Sequence, residues 1–180
     1  KLVIPQVRVN LMGKHNLENI VAAAALAYLA GTKKEIISSR INSFKGIYRR
    51  FQIHLNSAFK VYIDDYAHHP EEIKAVLKTV TEFYPDKKNM VVFQPHLFSR
   101  TQDFMDGFLS VLASFDEVVL LDIYPAREEP ILGISSRKIL EDLNHTHKKL
   151  IEKKEIKEVM EFSDATVFAF LGAGDIGVEV

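Results

Sequence analysis

From residue 60 to residue 171 the sequence repeats one pattern: a short apolar run of strand type, a polar rim, then an amphipathic stretch with helical period. Lys60 to Ile63, Met90 to Phe93, Val118 to Leu121, Lys148 to Ile151 and Thr166 to Leu171 are the strand-type runs. Between them, Pro70 suits the first turn of a helix whose apolar positions Ile73, Val76, Leu77, Val80 and Phe83 share one side. Thr101 to Ala113, with Phe104, Phe108, Val111 and Leu112 on one face, Ser136 to Leu143, and Ile156 to Phe162 read as further helices. Strands that alternate with helices of this length cannot pair as hairpins. They predict an α/β fold with a Rossmann-like, mostly parallel sheet and helices on both faces.

The first part of the chain reads differently. Val7 to Leu11 alternates like a short strand, Gly13 interrupts it, and Asn16 opens an alanine-rich helix through Ala30 that Gly31 closes. Glu35 to Phe44 is a second helix and Lys45-Gly46 a break, after which Phe51 to Leu55 and Lys60 to Ile63 form strands about a turn at Asn56-Ser57. The boundary falls near residue 46, dividing the chain into 1–46 and 47–180.

Composition narrows the function classes. The 180 residues are 47% hydrophobic with net charge -1, enough for one full core and a smaller appendage. Lysines and arginines are interleaved with acids, so no basic stripe points to nucleic acid. Without cysteine there is neither a disulfide framework nor a thiolate metal site, and no apolar run suits a membrane span or signal peptide, so a cytoplasmic location is expected. Lys1 in place of methionine reads as an excised fragment.

In an open α/β sheet, ligands bind beyond the carboxyl ends of the strands. The residues there are polar: Asp64-Asp65-Tyr66-Ala67-His68-His69, then Gln94-Pro95-His96-Leu97-Phe98-Ser99-Arg100, then Asp122 to Glu128, and last Gly172-Ala173-Gly174-Asp175. Asp65 suits sugar hydroxyls or a cationic amine, although an aspartate before Pro70-Glu71-Glu72 could equally cap a helix. A metal-dependent hydrolase using Asp65, His68 and His69 is an alternative, but no His pair stands at helical i, i+4 spacing. His96 and Arg100, four apart at a helix entrance, suit a carboxylate or phosphate; Arg100 alone could be a solvated surface residue. Gly172 to Gly177 resembles a dinucleotide fingerprint only superficially, and a tight turn explains it as well. Asn16 and Asn19 share one side of a first helical turn, where an amide can cap the helix or read adenine. No G-x-x-x-x-G-K-[ST] phosphate loop occurs.

Taken in order, Gly13-Lys14-His15-Asn16 with Asn19, Arg49-Arg50-Phe51, Asp64 to Pro70, Phe93-Gln94-Pro95-His96 with Ser99-Arg100-Thr101, Tyr124-Pro125-Ala126 and Gly172 to Gly177 resemble the Mur ligase family, in its alanine-adding branch. The resemblance implies the end of a central ATP-binding domain over 1–46 and a C-terminal Rossmann-like domain over 47–180. It also implies ATP with Mg2+ as cofactors, UDP-N-acetylmuramate and L-alanine as substrates, the rest of the same polypeptide as partner, and neither nucleic acid nor membrane. In such enzymes a substrate carboxylate becomes an acyl phosphate that the amino acid's amine attacks, a chemistry of positioning and charge neutralisation. By the same resemblance Asn16 and Asn19 face adenine, Arg50 the phosphates or ribose, and Asp65 the ribose beside Tyr66. His68, His96 and Arg100 serve the amino-acid side, with Arg100 suited to the alanine carboxylate. No catalytic residue and no metal ligand is assigned to this chain, which is expected to be inactive alone; the alternative to a ligase is a non-catalytic Rossmann-like binding module. Two departures from the family pattern are Leu97, where a basic residue can stand, and Ala67, where glycine is frequent.

Overall fold

The computed structural model describes residues 3–178. The chain divides into two compact units, 1–48 and 49–180.

In the first unit, α1 (Lys14–Leu29) and α2 (Lys34–Ser43) pack on each other. Helix α1 begins two residues before the expected Asn16. Gly13 occupies its N-cap position at φ 91°, and the Asn16 amide donates back to the Met12 carbonyl at 2.7 Å. Gly31, at φ 89°, ends the helix as the sequence suggests. The expected strand at Val7 to Leu11 does not form. A strand needs a neighbouring ladder, whereas the polar backbone here turns to side chains of α2: the Arg8 N–H donates to Asn42 Oδ1 at 2.6 Å, and Ser38 Oγ donates to the Pro5 and Gln6 carbonyls at 3.1 Å each.

Among the described residues the second unit is built on six strands: β1 (Gln52–Asn56), β2 (Val61–Asp65), β3 (Asn89–Phe93), β4 (Glu117–Leu120), β5 (Lys148–Leu150) and β6 (Val167–Leu171). Their order is β1-β2-β6-β3-β4-β5. Only β1 runs antiparallel, joined to β2 by a turn in which Ser57 Oγ accepts the Lys60 N–H at 2.9 Å; the remaining neighbours pair in parallel. This is the expected mostly parallel α/β sheet. Strand β6, last in sequence, lies between β2 and β3, so the polar rims after these three strands are brought side by side.

Alternate strand residues supply two faces. Met90, Val92, Val119, Leu121, Phe168 and Phe170 form a core with Ile156 and Met160 of α7 (Ile156–Glu161) and with Ile176. On the opposite face Phe93 meets Phe108 of α5 (Met105–Leu112) at 5.3 Å between ring centroids, and α5 packs against α3 (Pro70–Phe83) and α6 (Ser136–Asp142). Helix α3 keeps Ile73, Val76 and Val80 buried, but Phe83 is 44% exposed and Thr79 is buried instead, its hydroxyl satisfied by the Ala75 carbonyl at 2.9 Å.

The single helix expected over Thr101 to Ala113 is two. Helix α4 (Phe98–Asp103) stops at Phe104, whose φ of -117° leaves the helical region, and α5 restarts beyond it. The Phe104 ring packs on His69 at 4.3 Å, and Gly107 lets α5 approach α3, since a Cβ there would stand 2.9 Å from Pro70 Cγ.

Candidate functional site

The end of β2 carries the first wall of the rim. Asp64 and Asp65 are both buried, Asp64 wholly. Asp65 folds its carboxylate onto backbone donors, with Oδ2 accepting from Phe51 at 2.6 Å and Oδ1 from Ala67 at 2.8 Å, so capping of neighbouring backbone is part of its role.

Tyr66 projects outward, its ring 5.2 Å from the Arg49 guanidinium, 5.8 Å from that of Arg50, and edge-on to His68 at 5.4 Å. Arg50 is exposed. The two adjacent histidines separate as their neighbours dictate. His69 is the N-cap of α3: its Nδ1 accepts the Glu71 N–H at 3.3 Å and its ring lies on Phe104. His68 turns to the rim, its Nδ1 donating to the Tyr66 carbonyl at 2.8 Å with Glu72 Oε2 3.4 Å away. Glu72 also accepts the His68 and His69 N–H groups at 2.9 and 3.2 Å, which fixes the start of α3. No set of three or more His, Asp or Glu side chains among the described residues is placed to share a metal ion. Asp65, His68 and His69 therefore do not form the metal cluster considered as an alternative.

Beyond β3, His96 and Tyr124 bridge in parallel, extending the β3 and β4 ladder, and their rings stack at 5.7 Å and 12°. Arg100 Nη1 donates to His96 Nδ1 at 3.2 Å, and His68 lies 6.1 Å from His96. A guanidinium can only donate, so His96 Nδ1 is an acceptor and the neutral ring carries its proton on Nε2. Burial holds the His96 pKa below the ordinary histidine value, helped by the Arg100 charge and His68 and opposed by Glu128. The anion expected at the entrance of α4 is already present as part of the chain: Glu128 accepts the Ser99 hydroxyl at 2.5 Å and the Ser99 N–H at 3.0 Å. Leu97, at φ 72°, is held by the Tyr124 carbonyl at 3.0 Å and brings no charge to the rim.

The glycine run after β6 closes the site from behind. A Cβ on Gly172, at φ 150°, would lie 2.7 Å from the Gln94 carbonyl, and one on Gly174 would lie 2.5 Å from Gln94 Oε1 and 2.7 Å from Tyr124 Cγ. Gln94, nearly fully buried, donates to Asp175 Oδ1 at 2.9 Å and accepts the Ile176 N–H at 3.1 Å; Lys153 pairs with Asp175 from outside. These glycines are small because the chain's own side chains fill the space against them. That packing explains a run which only superficially resembles a dinucleotide fingerprint.

The second unit thus gathers Arg50, Asp65, Tyr66, His68, His96 and Arg100 along the carboxyl ends of β2 and β3. Asn16 and Asn19 belong to the first unit, Asn19 exposed on α1. Sequence reading placed Arg49, Gln94, Tyr124 and Glu128 in its motifs and Glu72 at a helix start but gave none of them a role in the site, since each acts through partners distant in sequence or across a turn.

A model of the Mur ligase glutamate ligase domain matches residues 49–176. The UDP-N-acetylmuramate–L-alanine ligase of Flavobacterium psychrophilum is 51% identical over 174 residues, 97% of this chain and 39% of the relative; that of Christiangramia forsetii is 51% identical over 98% of this chain and 39% of the relative. Among solved structures, the UDP-N-acetylmuramate-alanine ligase of Thermotoga maritima superposes with a TM-score of 0.75 at 31% identity, over 96% of this chain and 37% of that one. The chain spans about two fifths of the length of these relatives. The chain belongs to the Mur ligase family, and residues 49–176 carry that family's glutamate ligase domain.

Proposed function

We propose that this chain is the C-terminal part of an ATP-dependent UDP-N-acetylmuramate:L-alanine ligase of peptidoglycan precursor synthesis, working in the cytoplasm. The observation that carries the reading is the convergence of Arg50, Asp65, Tyr66, His68, His96 and Arg100 on one rim, in a chain 51% identical across 97% of its length to a ligase of that name. No helix among the described residues is long and apolar enough to cross a membrane.

In this reading the chain binds and orients, and it does not form covalent bonds to substrate. Arg50 is an exposed cation beside Tyr66, suited to nucleotide phosphates or ribose, and Asp65 suits a ribose hydroxyl. Asn16 and Asn19, in the first unit, carry amides of the kind that read adenine. Arg100, with one donor on His96 and others left over, suits the carboxylate of L-alanine; His68 and His96 line the same side. Bringing an amine to an acyl phosphate in a fixed orientation is the contribution asked of such a rim. The reading assigns the Mg2+ ligands and the phosphate loop to other parts of the ligase, in keeping with a sequence that holds no G-x-x-x-x-G-K-[ST] run.

Steady-state kinetics of the full-length ligase test the proposal. Arg100→Ala should raise KM for L-alanine about a hundredfold, as for a lost charge-assisted pair, with KM for ATP nearly unchanged. Equal KM values for L-alanine in the variant and the parent enzyme would refute the assignment. The 180-residue chain by itself should release no ADP from ATP with UDP-N-acetylmuramate and L-alanine.

A further inference from the structure

Arg49 opens the second unit, and its side chain is nine-tenths buried beside Asp64, which is wholly buried. A guanidinium and a carboxylate withdrawn from water are costly unless each direction of the charge is answered. Here the Arg49 donors find acceptors in three places, while Asp64 Oδ2 has the ion pair but no hydrogen-bond partner. Arg49 Nε lies 3.4 Å from Asp64 Oδ1 and 3.3 Å from Oδ2, Nη1 donates to the Gly174 carbonyl at 2.8 Å, and Nη2 donates to the Gly172 carbonyl at 2.5 Å. The backbone of the same residue is held as firmly: its N–H donates to Gln52 Oε1 at 3.0 Å, and its carbonyl accepts the Tyr66 N–H at 2.8 Å.

The next two residues inherit that placement. Arg49 and Phe51 both adopt left-handed backbone, at φ 54° and 44°, a conformation L-residues keep only when the surroundings hold it. Arg50 between them is turned outward over Tyr66, and the Phe51 N–H is delivered to Asp65 Oδ2 at 2.6 Å. The slot is shaped for the guanidinium as well, since a Cβ on Gly177 would stand 2.6 Å from Arg49 Nε. His54 Nε2 lies 3.9 Å from Asp64 Oδ2.

We propose that Arg49, locked between Asp64 and the Gly172 and Gly174 carbonyls, is a positioning residue that sets Arg50 and the Asp65 carboxylate for the nucleotide. The proposal rests on the reading of Arg50 and Asp65 given above. A lysine cannot replace it, because one ammonium cannot reach a carboxylate and two carbonyls in a planar fork.

The test is steady-state kinetics of the full-length ligase with Arg49→Ala, Arg49→Lys, Gly177→Ala and the control Arg50→Ala. Arg49→Ala should raise KM for ATP about tenfold, the equivalent of one misplaced charge-assisted contact, while KM for L-alanine stays within roughly twofold. Added guanidinium ion should restore much of the loss in Arg49→Ala, and Arg49→Lys should behave like the alanine variant. Gly177→Ala, which crowds the guanidinium and keeps its charge, should show the same selective rise in KM for ATP. It is the deciding variant if Arg49→Ala fails to fold. An unchanged KM for ATP in a folded Arg49→Ala or in Gly177→Ala overturns the proposal, as does a uniform loss in both KM values without guanidinium rescue. Should Arg50→Ala itself leave KM for ATP unchanged, the nucleotide reading of the rim fails; a rise for Arg50→Ala alone leaves that reading standing and removes Arg49 from it.

Discussion

Glu128 spans the rim to Ser99 with both carboxylate oxygens, Oε1 on the hydroxyl at 2.5 Å and Oε2 on the backbone N–H at 3.0 Å, so an acid from the loop after β4 secures the first turn of α4. Arg100, one residue further, is set by this clamp as well as by His96.

The pH behaviour of that clamp follows from its sign. The Ser99 hydroxyl and N–H favour the ionised form and hold the Glu128 pKa below the ordinary glutamate value, against an opposing desolvation. A carboxyl whose folded pKa is depressed contributes stability above its unfolded pKa, and loses it as pH falls through the lower folded value. An NMR titration of the side-chain carboxyl should therefore show Glu128 protonating below the ordinary glutamate value, and Ser99→Ala should return it toward that value. A Glu128 with the ordinary glutamate pKa in the parent chain contradicts the clamp.

The glycine run makes a steric prediction. Gly174→Ala drives a methyl group against both Gln94 Oε1 and Tyr124 Cγ, and Gln94 is pinned by Asp175 and Ile176 and cannot swing away. Urea denaturation of the chain should show a loss of about 1–3 kcal/mol, the usual cost of overpacking. Gly172→Ala should cost more, because the clash is with the Gln94 backbone and φ is 150°. A Gly174→Ala chain as stable as the parent would mean the loop is not packed as described.

Core and surface aromatics should separate cleanly. Phe108 is 1% exposed and lies on Phe93, so Phe108→Ala should cost about 3–5 kcal/mol through lost burial and the cavity left behind. Phe162, 83% exposed, should change stability by no more than about 0.5 kcal/mol when truncated. The same denaturation series reads both.

How much of this could be read in the sequence depends on the range over which each feature is decided. Helix α3 is legible because its signals are local: Pro70 in the first turn, two acids, and apolar residues at helical spacing. The buried strands are legible because a run such as Met90 to Phe93 has no polar face to present. Val7 to Leu11 has the alternation of a strand, but alternation cannot supply the missing ladder partner. Phe104 is apolar and in phase with its helix, so nothing local announces that its ring prefers His69 and that the helix breaks there. At the site, resemblance pointed to Arg50, while the buried member of the pair is Arg49. Which arginine turns inward is decided by φ 54° and by acceptors 15, 123 and 125 residues away, none of which spacing reveals.

His96 gives the sharpest spectroscopic prediction. Arg100 donates to its Nδ1, and a guanidinium has no lone pair to offer in return, so the neutral ring must hold hydrogen on Nε2. Burial, then the Arg100 charge, then His68, keep its pKa below the ordinary histidine value, with Glu128 pulling the other way. Because the depressed folded pKa favours the neutral ring, this group's contribution to stability is present above the ordinary histidine pKa and is lost as pH falls through the folded value. Nitrogen-15 shifts of the imidazole should therefore report the Nε2–H tautomer at neutral pH and protonation at a pH lower than for a solvent-exposed histidine. Arg100→Ala removes both the donor and the positive charge, so the His96 pKa should rise and the tautomer preference should weaken. A Nδ1–H ring in the parent chain, or an unmoved pKa in the variant, would show that Arg100 does not govern this imidazole.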